Sequence, residues 1–114
     1  MSTAGDHSTE SPGRYFLIFL KMVPGKTLSP DVLGLHANHL SELDRSGQLV
    51  LAGPITERLG GLIVLRVASL ADAKAVADED PLVRGGYQTY ELGTWLMSNH
   101  QNGYRSDPPQ EHEK

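Results

Sequence analysis

The sequence contains no cysteine, which excludes disulfides, cysteine-ligated zinc, iron–sulfur clusters and thiol nucleophiles, and suits a reducing compartment. It also has no long hydrophobic run. The longest, Tyr15 to Leu20, falls far short of the roughly 20 residues a membrane-spanning helix needs, so no membrane partner is expected. The first residues, Met1-Ser-Thr-Ala-Gly-Asp-His7, lack the basic and apolar regions of an export signal, and a cytoplasmic location is expected. Aromatic residues make up only 6%, and 10 basic residues face 14 acidic ones for a net charge of −4. Without a basic stripe there is no surface to neutralise phosphates, which argues against nucleic acid as a partner.

What remains is a chain of 114 residues, 39% apolar, long enough to bury its own core without a structural metal. Residues 1–13 and 101–114 are rich in Ser, Gly, Asp, Glu and Pro and poor in bulky apolar groups. They are expected to be disordered tails flanking one domain over 14–100. Within that domain Tyr15 to Val23 is apolar at odd and even positions alike, the pattern of a strand buried on both faces. Ser29-Pro30-Asp31 supplies an N-cap, a first-turn proline and a first-turn acid, predicting a helix from Pro30 to about Arg45 that Gly47 closes. Strands follow at Gln48–Ala52, ended by Gly53-Pro54, and at Gly61–Val67, close enough to pair as a hairpin. Ser69 and Asp72 resemble a capping box for a helix over Leu70–Asp78, which Pro81 prevents from continuing. A last strand is expected from about Tyr87 to Leu96.

The order βαββαβ predicts an α+β, ferredoxin-like antiparallel sheet with both helices on one face. Helices on one side cover only one face of the doubly apolar first strand. A second copy of the chain, packed sheet to sheet in a homodimer, is the economical cover for the other.

At about 100° per residue Val32, His36, His39, Leu40 and Leu43 fall within about 100° of one another, which sets two histidines in one apolar stripe. Three readings compete for them. They hydrogen-bond structurally, they bind a metal for which no third ligand is evident, or they transfer protons, since imidazole ordinarily titrates near neutral pH. Asp80 is the carboxylate to place beside them, although Asp before Pro is equally the pattern of an N-cap opening a short turn at Leu82 and Val83. Asp78 and Glu79 read as the solvated end of a helix. Gly53-Pro54 and Gly85-Gly86 are turn elements that also let backbone approach a ligand. Trp95, Tyr15, Phe16, Phe19, Tyr87 and Tyr90 read as core, interface or pocket-wall residues. No Gly-x-Ser-x-Gly elbow and no cofactor motif is present.

His39-Leu40, Gly47-Gln-Leu-Val-Leu-Ala-Gly-Pro54, Ala77-Asp-Glu-Asp-Pro81 and Gly85-Gly-Tyr87 together resemble the YCII-related (YciI-like) family over about residues 15–97. The resemblance implies a dimeric ferredoxin-like α/β barrel and a His–Asp pair in a pocket, which by motif position is His39 and Asp80. Beside that pair, His36, which is not a position of the family motif, and Gly53, Pro54 and Tyr87 are the expected substrate-binding residues, with no metal and no cofactor. The family includes a dehydrochlorinase acting on a chlorinated hydroxyhydroquinone, although most members have no established reaction. The substrate does not carry over from that relative, and the activity expected here is lyase- or isomerase-type proton transfer on a small cyclic or aromatic molecule. The alternative is a dimer that binds a small ligand or serves as an accessory protein without catalysis. The chain departs from the fuller family pattern before the third strand, where only Ile55-Thr-Glu-Arg-Leu-Gly60 stands in place of a longer Gly- and Ser/Thr-containing segment, implying a reduced pocket rim.

Overall fold

Strand β1 (Arg14–Met22) runs through the middle of a four-stranded antiparallel sheet, between β3 (Gly60–Leu65) and β4 (Gln88–Leu96), with β2 (Leu49–Pro54) at the edge beside β3. The computed structural model describes residues 14–105. The expectations for residues 1–13 and 106–114 lie outside that range. Helix α1 (Pro30–Arg45) connects β1 to β2, and α2 (Leu70–Glu79) with the four-residue α3 (Pro81–Arg84) connects β3 to β4. This is the expected βαββαβ, ferredoxin-like α+β arrangement. Residues 101–105 follow β4 closely, where His100–Asn102 form one 3₁₀ turn held by reciprocal bonds between Asn99 and Asn102.

Local chemistry explains the element ends. Ser29 Oγ accepts from the Val32 N–H at 3.2 Å, and Gly47 follows α1 at φ 83°, a left-handed conformation that glycine adopts without Cβ strain. Ser69 Oγ accepts from the Asp72 N–H at 3.1 Å to start α2. At its other end, Asp78 would oppose the helix dipole, but it accepts from Lys74 Nζ at 2.8 Å and from the Tyr90 hydroxyl. The Lys74 bond first, then that of Tyr90, holds the Asp78 carboxyl below its ordinary pKa. Strand β2 does not stop before Gly53-Pro54 but runs through both. Proline is admissible there because β2 is an edge strand and one of its sides needs no N–H donors.

Alternation along β1 separates two environments. Phe16, Ile18 and Leu20 are buried with Ile63 and Leu65 of β3, Leu43 of α1, and Ala73, Val76 and Ala77 of α2 in one core. Both long helices therefore pack on the same face. Tyr15, Leu17 and Phe19 point to the opposite face, in register with Trp95 and Gly93 of β4 and with Val64 and Leu62 of β3. Phe19 is 38%, Trp95 45% and, on β2, Leu51 63% exposed, so much of this second apolar face is left open by the described residues.

Candidate active site

The break between α2 and α3 places the key acid. Pro81 cannot continue α2, so Asp80 turns to an extended conformation at φ −65°, ψ 127° and becomes the N-cap of α3. Its Oδ1 accepts from the Leu82 N–H at 2.9 Å. The side chain is 1% exposed, and burial of a carboxylate demands compensating partners. The second partner is His36 of α1, whose Nδ1 lies 2.9 Å from both Oδ1 and Oδ2. The two roles expected as rivals for Asp80, cap and imidazole partner, are thus performed by one carboxylate.

The imidazole is His36, not His39. His39 Nε2 lies 3.2 Å from the Val76 carbonyl, which can only accept, so Nε2–H donates and the side chain ties α1 to α2. The expected pairing of His39 with Asp80 is corrected accordingly. The physical reason is rotation about α1: His36 follows Val32 by about 40° and lies inside the arc of Val32, Leu40 and Leu43, whereas His39 lies about 20° outside it. That central line is where α1 meets the α2–α3 corner.

The contact with Asp80 engages Nδ1 and leaves Nε2 as the ring nitrogen that Asp80 does not touch. His36 is 18% exposed, and no protein group among the described residues bonds its Nε2. The ring lines a cleft of about 690 Å³ between α1 and the helix-facing side of the sheet, shared with Leu33 and Leu40 of α1, Met22, Ile63, Leu82 and Gln88. Gly53 and Pro54 line the same cleft, as expected, and the short segment before β3 contributes Ile55, Thr56, Arg58 and Leu59 to its rim. Tyr87, expected here, instead lines a separate groove with Ser29, Asp31, Glu79 and Arg84. No three His, Asp or Glu side chains gather as a metal site among the described residues.

Gln88 escaped the sequence reading. The signal was the period of two in β4, which sets Gln88 on the same face as the half-buried Tyr90 and Leu92, making it a polar residue on the helix-covered side.

Residues 15–96 match the family described as the YCII-related domain. The chain is 29% identical over 83 residues to the uncharacterised protein YjpA of Bacillus subtilis (strain 168), covering 73% of this chain and 96% of that protein. In fold it is similar to the 5-chloro-2-hydroxyhydroquinone dehydrochlorinase TftG of Burkholderia phenoliruptrix AC1100, solved in complex with 2,5-dihydroxybenzoquinone. The TM-score is 0.55 at 18% identity, covering 80% of this chain and 99% of that one.

Proposed function

The chain belongs to the YCII-related family, and from that membership and the cleft geometry we propose that it is a small-molecule enzyme of lyase or isomerase type. In this reading His36 is the general base and acid, and Asp80 fixes its tautomer and orientation. The observation that carries it is the buried Asp80 carboxylate with both oxygens 2.9 Å from His36 Nδ1. That contact leaves Nε2 to take a proton from a substrate in the cleft and return it. The apolar walls suit a small cyclic or aromatic molecule. A dehydrochlorination of a chlorinated hydroxyhydroquinone fits the same machinery: Nε2 passes one hydroxyl proton to the chlorine-bearing carbon, leaving a ketone, then takes the proton of a second hydroxyl, whose electron pair forms a new carbonyl as the adjacent ring double bond shifts onto that carbon and chloride leaves. His39 is assigned no proton-transfer role. The working unit is a homodimer, because the exposed sheet face around Phe19, Trp95 and Leu51 suits a second copy. A cytoplasmic setting agrees with the cysteine-free composition.

The test is turnover of a panel of phenols, lactones and halogenated hydroquinones that includes 5-chloro-2-hydroxyhydroquinone, followed by absorbance and chloride release. His36→Ala is expected to lower kcat by at least about 100-fold, and His39→Ala to leave it within about threefold. Unchanged turnover in His36→Ala overturns the assignment. Saturable binding without turnover of any panel member assigns the cleft to a ligand-binding protein instead.

A further inference from the structure

Gln88 opens β4 in register with Met22 of β1, and both side chains line the His36 cleft. The amide is 6% exposed. Its Nε2 donates to Met22 Sδ at 3.1 Å. That contact fixes the orientation of the amide, because a thioether sulfur accepts weakly and the reversed amide would set a carbonyl oxygen against it. Oε1 is left buried, with no hydrogen-bond partner among the described residues. Buried carbonyl oxygens in folded proteins are almost always satisfied. The other polar side chains of the cleft, Lys26, Thr27, Thr56 and Arg58, belong to its exposed rim. His36 and Gln88 are therefore the polar groups of its buried part.

We propose that Gln88 is the specificity-determining acceptor of this cleft, its Oε1 receiving a hydrogen bond from a hydroxyl or N–H carried by the ligand. The proposal rests on reading the cleft as the substrate site and adds a chemical requirement to it. A carbonyl oxygen cannot donate, so an ether, ketone or carboxylate presented at this point meets an acceptor with an acceptor. A ring bearing a neutral hydroxyl meets it with a donor. The substrate class is thus narrowed from small rings to rings that carry an un-ionised hydroxyl or N–H.

The requirement is tested by varying the ligand before the protein. Hydroquinone, kept reduced under argon, and 1,4-dimethoxybenzene share a ring and differ in their donors. Each is titrated into the full-length protein while the His36 imidazole C–H resonances are followed. Hydroquinone is expected to shift these resonances and to bind about five- to tenfold tighter than its dimethyl ether. In Gln88→Met, which keeps the side-chain length, the preference is expected to vanish, while Gln88→Glu, which retains an accepting oxygen, keeps it. If both compounds shift His36 with equal affinity in the wild-type protein, Gln88 is not the reader, although the cleft remains a ligand site. If neither shifts His36, the reading of the cleft falls and this proposal with it.

Discussion

Asp80 is tolerated at 1% exposure because two groups reach its oxygens. The Leu82 amide and the His36 ring are each 2.9 Å away. Removing such contacts costs according to which of them survives. Asp80→Asn keeps an oxygen for the Leu82 amide but loses the charge opposite His36, and is expected to lower stability by about 1–2 kcal/mol. Asp80→Ala loses the cap as well and is expected to cost about 3–4 kcal/mol. Urea denaturation of both variants checks the order, and equal losses would remove the cap from the account. Asp80 was legible in the sequence because Asp-Pro after a helix is locally decisive. Its partner was not. His36 and His39 are separated by only about 60° around α1, and the choice between them depends on where the α2–α3 corner meets the helix, a tertiary fact.

At the scale of elements, the caps and breakers settled most boundaries within a residue or two. Ser29-Pro30, Gly47, Ser69 and Pro81 act on their immediate neighbours, so their effect can be read without the fold. The β2–β3 connection is different. Gly60 adopts φ 142°, and a Cβ there would come within 1.9 Å of the Leu20 carbonyl oxygen, so the start of β3 closes against β1 backbone to backbone. Gly60→Ala is expected to cost about 3 kcal/mol or more, from strain and displaced sheet pairing together. Thermal unfolding checks this, with a drop of more than about 10 °C expected for a domain of this size. A change of a few degrees would mean that β3 shifts freely. Because Gly60 also lines the cleft, the surviving folded fraction should bind hydroquinone more weakly. No local feature of the sequence marks this contact, because the strand that Gly60 approaches lies some forty residues earlier.

For the whole molecule, the strand that is apolar on both faces carries the largest consequence. Its inner residues, Phe16, Ile18 and Leu20, are covered by the helices, while Leu17 and Phe19 lie on an opposite apolar face that the described residues leave largely open. Association through that face predicts a sedimenting species of twice the chain mass. Phe19→Lys, at a position already 38% exposed, should shift it to the monomer with the fold retained, because the substitution leaves the helix-covered core untouched. A wild-type monomer at high micromolar concentration would refute the pairing. The dual duty of Asp80 bears on how relatives should be read. Because one carboxylate serves both the α3 cap and His36, an evolving lineage keeps an acid at that place for foldedness even after its chemistry has lapsed. The His36 ring bonds no backbone group among the described residues, so folding holds it only as the partner of that carboxylate and less firmly than the acid. In a set of relatives, it is the imidazole, rather than the acid, that separates lineages still performing the reaction from those that retain only the shape.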